Sequence, residues 1–385
     1  MSGGAGRGVA GREGGAYAAA GVDIKRGERA VELMKASVGR ASRPEVLGGL
    51  GGFAGLMRLD VSRWTQPVLA ASTDGAGTKT AIARALGRHD TIGQDLVAMV
   101  VDDLVVCGAE PLLVQDYIAV GHLEPETVAA LVAGIAAGCR LAGAALLGGE
   151  TAEHPGLMPP GDYDLAATAV GVVEADAVLG PDRVRPGDAV VALASSGVHC
   201  NGFALIRQVL AASRTPLREP FGTGTLGEEL LTPSRIYALD CLAAAAALPV
   251  RTFAHITGGG LAGNLGRVIP EGMVAVVERP TWRPPPVFDW IQATGTISAT
   301  DMERTFNMGV GMVAVVDPAA AGDLLGLLAE RGVPAWTAGT ISKEGGTVRA
   351  RLRGEHPGAG PMEQSIRGSN AQEAAEPAPS SSSST

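Results

Sequence analysis

The chain has 385 residues, 46% of them hydrophobic and 4% aromatic, with 55 glycines and a formal net charge of −9. That length accommodates two ordinary domains, since single cores stop growing at roughly 250 residues, and their packing must rest on Val, Leu, Ile and Ala. The acidic balance and the lack of any Lys/Arg block exclude nucleic acid as the main partner, and neither a secretory h-region nor an uncharged apolar run of about 18 residues argues for a membrane.

In chain order, residues 1–16 are Gly-rich and expected to form a disordered arm. Residues 17–59 make a Gly-rich segment with a helix carrying Ala30, Leu33 and Met34 on one side and ending at Lys35. Its glycines 48, 49, 51 and 52 suit a mobile loop or a close backbone approach. A first domain over 60–175 alternates strand and helix patterns, as does a second over 181–352, so the fold class is α/β or α+β. The tail 354–385 ends in AEPAPSSSSST and should be disordered. The cysteines (Cys107, Cys139, Cys200, Cys241) are widely spaced with no CxxC pair, which points to a reducing, cytoplasmic setting.

The first domain places acids where a core would avoid them. PVLAASTDGAGTK reads as an apolar strand ending on a carboxylate, a glycine turn and a lysine, which puts Asp74 and Lys79 at a strand mouth. The run from Thr91 to Cys107 is apolar enough for a buried helix, yet it contains Asp95, Asp102 and Asp103. On a helix Asp95 and Asp102 share a face, with Asp103 about 100° further round. Unpaired, each would cost several kcal/mol, so they must be solvated, hydrogen-bonded or neutralised by a cation, and a magnesium-bearing cleft is the simplest solution.

Asp116 interrupts the strand PLLVQDYIAV, and Glu150 follows Gly148 and Gly149 at another strand end. Three carboxylates at glycine-flanked strand ends, joined by an acid-bearing helix, suggest a metal-nucleotide site; hard oxygen donors favour Mg2+ over zinc. GETAEHPG is not HExxH, and Pro155 opposes a continuing helix, so Glu150, Glu153 and His154 do not read as a zinc motif.

The second domain repeats one device. A strand runs into SSGVHCNG before one helix and into TGGG before another, leaving free backbone N–H groups and a positive dipole end for an anion. DGAGTK lacks Walker A spacing, and GGGLAG fits GxGxxG only weakly, because no strand-end acid follows about 20 residues on. His199, between two glycines, is either a surface residue or a substrate contact. Cys200 lacks a histidine partner for nucleophilic work, and Asn307 is either a ligand or a turn-forming residue.

YAAAGVDI, GGLGGFAG, STDGAGTK, RHDTIGQDLVAM, DDLVVCGAEP, GGETAEHPG, SSGVHCNG, TGGG and TFNMGVGM, in this order over residues 17–343, closely resemble the phosphoribosylformylglycinamidine cyclo-ligase (aminoimidazole ribonucleotide synthetase) family. The resemblance implies ATP-dependent cyclisation of formylglycinamidine ribonucleotide to aminoimidazole ribonucleotide, ADP and phosphate in purine synthesis. It also implies a two-domain fold with a C-terminal mixed sheet, and a homodimer in which the N-terminal sheets of two subunits join as a barrel near the ATP site. Asp74, Asp103, Asp116 and Glu150 would then hold Mg2+, directly or through water. Asp74, Gly75, Gly77, Thr78, Lys79, Gly148, Gly149 and Lys35 would border the nucleotide, with Lys79 on phosphate. Ser196, Gly197, His199, Asn201, Gly258, Gly259, Gly260 and Asn307 would face the substrate, His199 as a proton shuttle or oxyanion partner.

Departures from the family pattern are Tyr17-Ala-Ala-Ala-Gly21 for YKDAG, Cys200 for the serine of HSNG, and Asp102 for the asparagine of NDL. Thiamine-monophosphate kinase, selenophosphate synthetase and formylglycinamidine synthetase are rival readings within the superfamily. A catalytically silent nucleotide-binding scaffold is a rival from a different class.

Overall fold

The computed structural model describes residues 24–49, 51–344 and 346–358. The expected arm, the Tyr17–Gly21 stretch and the tail beyond 358 lie outside the described residues. Helix α1 (Ile24–Arg40) continues past the end expected at Lys35, because Ala36, Ser37 and Val38 contain no breaker and Val38 packs on the core. A short ladder, β1 (Val46–Leu47) and β2 (Leu56–Met57), flanks the glycines.

The rest of the first domain is β3 (Pro67–Gly75), α2 (Thr80–Leu86), α3 (Asp90–Val105), β4 (Glu110–Val120), α4 (Pro125–Ala142), β5 (Ala145–Glu153) and β6 (Tyr163–Glu174). The strands form one sheet in the order β3-β6-β4-β5, parallel between β4 and β5 and antiparallel elsewhere. Strand β4 runs unbroken through Asp116, with its register shifting just before, at Val114/Gln115.

Helices cover one face of this sheet. Helix α4, opened by Pro125 at its first position and closed by left-handed Gly143, is apolar enough by composition to cross a membrane. Its apolar faces are instead buried against neighbouring helices, and its glycines set the spacing. A Cβ on Gly93 of α3 would stand 2.2 Å from the Ile135 nitrogen, and one on Gly134 would stand 1.9 Å from the Asp90 oxygen. Gly93→Ala is therefore expected to force α3 and α4 apart and destabilise the protein by about 1–3 kcal/mol. A thermal melt compared with Gly161→Ala, a site with open space around it, checks this.

Among the described residues nothing covers the opposite face of the sheet. Leu69 is 65% exposed and Tyr117 42% exposed, and Thr73 bonds Thr168 across it.

The second domain begins with β7 (Ala189–Ala194), α5 (Phe203–Ser213), the hairpin β8 (Pro220–Phe221) and β9 (Gly224–Thr225), α6 (Leu226–Leu230) and α7 (Ala238–Ala247). It continues through β10 (Val250–His255), α8 (Gly260–Arg267), β11 (Met273–Glu278), α9 (Pro286–Gly295), α10 (Ala299–Thr305), β12 (Val310–Val316), α11 (Ala321–Glu330), β13 (Ala335–Lys343) and β14 (Ala350–Arg353). Six of these strands form a mixed sheet, β10-β12-β7-β13-β11-β14, parallel only between β11 and β14.

Strand alternation divides this sheet's side chains. Val191 and Leu193 of β7 join a core shared with the first domain, whereas Val190 and Ala192 pack with Leu261 and Leu265 of α8 on the other side. Helix α3 lies between the domains, touching β3 and β6 on one side and α7 and β10 on the other. That position explains why it is apolar all round.

The ordered chain also passes the boundary expected at 354. Arg279 donates to the Gly354 oxygen, and His356 sits edge-on to Trp282 at 4.6 Å between ring centroids.

Candidate functional site

The acids of α3 have separate tasks. Asp95 accepts from the Ser234 backbone N–H at 2.8 Å and from its hydroxyl at 2.7 Å, and pairs with the Lys79 ammonium at 2.8 Å; both ionic side chains are fully buried. Lys79 also donates to the Thr232 oxygen at 2.8 Å. Its ammonium is thus committed to joining the domains, and the expectation that it meets a phosphate is corrected.

Asp102 accepts from the Tyr237 N–H at 2.9 Å, while its second oxygen is buried without a partner. These contacts replace the expected metal as the reason Asp95 and Asp102 are tolerated. Burial pushes the Asp102 carboxyl up to about 7, against the pull of His255.

A carboxyl raised in this way binds more protons folded than unfolded, so its contribution to stability is full below about pH 4 and disappears as pH rises toward 7. Asp102→Asn is expected to remove that decline and to gain stability over the wild type at pH 8. Denaturant midpoints measured across pH 4–8 check the sign.

Asp103 is the acid that reaches open space, its side chain 45% exposed. It accepts from His255 Nδ1 at 2.9 Å and from the Ser72 hydroxyl at 3.3 Å. Burial opposes charge on His255, yet its bond to Asp103 and the charges of Asp102 and Asp74 lift the imidazole above its ordinary value. Sequence reasoning missed His255, although FAHITGGG shows the same signal that identified Asp74: a polar side chain ending an apolar strand before glycines.

The other strand-end carboxylates lie across the first sheet. Asp74, Ala167, Asp116 and Gly149 occupy one lateral row and therefore share a face. The row needs glycine beside Asp116, since a Cβ on Gly149 would fall 1.5 Å from its Oδ1. Asp116 Oδ2 is buried without a partner, and burial raises this carboxyl to about 7.

Asp116, Gly148, Gly149 and Glu150 line a 390 Å³ cavity with Gly51 and Gly52, walled by Ala30 and Met34 of α1. Lys35 points away, exposed and paired with Glu32, and borders a neighbouring groove. At the end of β3, the Gly75 N–H donates to Asp74 Oδ1 at 2.7 Å, and Gly77 and Thr78 stay exposed.

Among the described residues no three His, Cys, Asp or Glu side chains converge on a metal position. The expected four-carboxylate set is instead dispersed: Asp74 and Asp103 both act on His255, Asp116 and Glu150 border the cavity, and Glu150, in register with Tyr117, stands on the other face of the sheet from Asp116. Oxygen-only donors, including a buried one without a partner, fit Mg2+, which commonly takes one or two carboxylates and completes its shell with water and phosphate.

In the second domain the SSGVHCNG loop turns through positive φ at Gly197, His199 and Gly202. Asn307 holds it. Its amide nitrogen donates to the Gly197 and Val198 oxygens at 2.9 and 3.2 Å, and its oxygen accepts from the Gly309 N–H at 2.8 Å. With that capacity used and the side chain buried, Asn307 builds the loop.

His199 is also corrected: it is 3% exposed, and its Nε2 accepts from the Ser196 N–H at 3.1 Å. Burial holds it well below the ordinary histidine value, with the charge of His255 next in effect, which favours the neutral imidazole. The Ser196 hydroxyl is occupied as well, donating to the Pro233 oxygen at 2.7 Å and accepting from the Arg235 N–H at 3.0 Å.

Asn201 keeps free capacity. Its amide nitrogen meets only Met99 Sδ, at 4.0 Å, and its oxygen would be 3.3 Å from a Cβ on Gly258, where the two glycine loops meet. Gly260 is required by packing, since a Cβ there would lie 1.7 Å from the Glu303 oxygen. Gly202 and Gly259 cap α5 and α8 with no side chain on the first N–H groups, which leaves donors for an anion. Met99 and Asp103 are one turn apart on α3, so Asn201 and His255 approach the same helix face.

Comparison with known proteins agrees across both domains. Sequence models described as "AIR synthase related protein, N-terminal domain" and "AIR synthase related protein, C-terminal domain" match residues 54–173 and 185–351. A curated protein of Anaeromyxobacter sp. (strain Fw109-5), named phosphoribosylformylglycinamidine cyclo-ligase, is 52% identical over 328 residues, 84% of this chain and 95% of that one. One of the same name from Nitrosospira multiformis is 48% identical, covering 85% and 93%. Among solved structures, thiamine-monophosphate kinase from Stenotrophomonas maltophilia K279a matches with a TM-score of 0.62 at 20% identity, over 85% of this chain and 96% of that one. Hydrogenase maturation protein HypE in complex with ATP matches at 0.58 and 19% identity, over 83% and 86%. At these identities the two structures show the shared fold.

Proposed function

The chain belongs to the phosphoribosylformylglycinamidine cyclo-ligase family, and from that premise we propose how its residues divide the work. The protein is a ligase of purine biosynthesis that closes formylglycinamidine ribonucleotide into aminoimidazole ribonucleotide with release of ADP and phosphate. The observation that carries the division of roles is the 2.9 Å contact between Asp103 of the first domain and His255 of the second, on the helix face that Asn201 and Gly258 also approach.

Ring closure requires the formyl oxygen to become a leaving group: ATP held with Mg2+ supplies the phosphoryl group and the charge neutralisation. The chain supplies alignment and fixed charge, which dominate phosphoryl transfer. Asp74, Asp103, Asp116 and Glu150 would hold the metal, directly or through water. Gly77, Thr78, Gly148 and Gly149 would border the nucleotide, the glycines allowing close approach. His255 fixes the Asp103 carboxylate through Nδ1. Asn201 orients the substrate as the amidine nitrogen attacks the activated carbon, loses its proton and expels phosphate.

We also assign a homodimer: the open sheet face around Leu69 and Tyr117 suits a second copy completing a barrel. Small-molecule substrates and this pathway support a cytoplasmic location.

The test is direct. With formylglycinamidine ribonucleotide and Mg-ATP, the purified protein should form aminoimidazole ribonucleotide and ADP in equal amounts. ADP release that ignores the substrate would instead favour another ATP-using enzyme, and nucleotide binding without turnover a silent scaffold.

A further inference from the structure

Among the described residues Arg235 is the only lysine or arginine that is partly buried and has no acceptor. Its Nε is shut off from solvent without a partner. Every other partly buried cation is engaged, as Lys79 is with Asp95, Arg251 with Asp317 and Arg279 with Glu303. Its two Nη groups are not shut off in the same way, so the planar fork is held at its Nε while its outer donors stay free for an anion.

The backbone on both sides of it is pinned. Ser234 is held by Asp95, Tyr237 by Asp102, and the Arg235 N–H by the Ser196 hydroxyl, so the residue is fixed against the loop that leads into α5. Its charge is felt by His199 in that loop, where it helps keep the imidazole neutral. The loop itself brings Gly197 and Gly202 through positive φ, and α5 opens with no side chain on its first N–H groups.

We propose that Arg235 binds the 5′-phosphate of the ribonucleotide substrate, pairing with a dianion that the SSGVHCNG loop and the start of α5 also face. This rests on the reading of the substrate given above. Arginine suits the task because its planar fork meets two phosphate oxygens at once. The assignment leaves the carboxylates of the first domain to the metal and the nucleotide, and gives the substrate the one partly buried cation without an acceptor among the described residues.

The experiment uses the full-length enzyme with Arg235→Met and Arg235→Lys, whose side chains replace no contact of the fold. Arg235→Met should raise the KM for formylglycinamidine ribonucleotide by about 10- to 100-fold, the range of a charge-assisted hydrogen bond, leaving kcat and the KM for Mg-ATP within about threefold. Arg235→Lys should recover part of the loss. With the dephosphorylated riboside as substrate, wild type and Arg235→Met should be equally poor.

A rise in the KM for Mg-ATP, an unchanged KM for the ribonucleotide, or an equal loss on the riboside would each overturn the assignment. Failure of the wild type to form product would overturn the underlying functional reading, and the assignment with it.

Discussion

Asp103→Asn is expected to lower kcat/KM by about 10²- to 10³-fold, the scale on which removal of one preorganised electrostatic group slows an enzyme, while the protein stays folded. Asp103 is the α3 acid that opens to solvent, and its oxygens meet His255 and Ser72 from opposite domains. The amide keeps the size and one acceptor but removes the charge that would meet the metal. Because the side chain is half exposed, stability should change by no more than about 0.5 kcal/mol. Ser72→Ala, which loses only a 3.3 Å bond, should leave turnover within a fewfold. Steady-state kinetics with varied Mg2+, beside thermal melts, separate the two variants. Equal turnover by Asp103→Asn and wild type would remove Asp103 from the reaction.

The largest stability effect is expected about two turns away on the same helix. Asp95→Ala leaves the Lys79 ammonium buried without its counter-charge, and Lys79→Met leaves the carboxylate with only the Ser234 donors. Breaking a buried pair from one side costs about 3–5 kcal/mol. The double variant should lose clearly less than the sum of the singles, since neither charge then remains alone. Denaturant unfolding of the four proteins gives the coupling. Additive losses would mean that neither charge depends on the other for its burial. In the folded fraction of Lys79→Met, the KM for Mg-ATP should be unchanged, because this ammonium is bonded inside the protein.

The contrast between Asp103 and Asp95 shows what could be read before the fold was known. Strand–helix alternation, Asp74 at the end of β3 and the glycine loops before α5 and α8 were legible because each is a local pattern with a local cause. The buried character of α3 was legible for the same reason. The partners of its acids were not: Ser234 and Tyr237 lie 139 and 135 positions beyond Asp95 and Asp102, and no helical spacing reports a contact across domains.

His199 and Asn307 share a structural task that the sequence did not reveal. A polar residue between glycines looks available to a ligand, but here Asn307 is spent on the loop's own backbone and His199 commits its Nε2 to the Ser196 N–H. Arg235 passed unnoticed because nothing in TPSRIY is unusual; what distinguishes it is an absent partner, visible only once every other buried cation is paired.

The most direct test of the central claim, that this chain activates the formyl oxygen and closes the ring, is an oxygen-label experiment. Formylglycinamidine ribonucleotide carrying 18O in its formyl group is incubated with Mg-ATP and the wild-type protein, and phosphate and nucleotide products are analysed by mass. The account predicts one aminoimidazole ribonucleotide per ADP, with the label in the inorganic phosphate. Product formed with unlabelled phosphate, or ADP formed without ring closure, would contradict it.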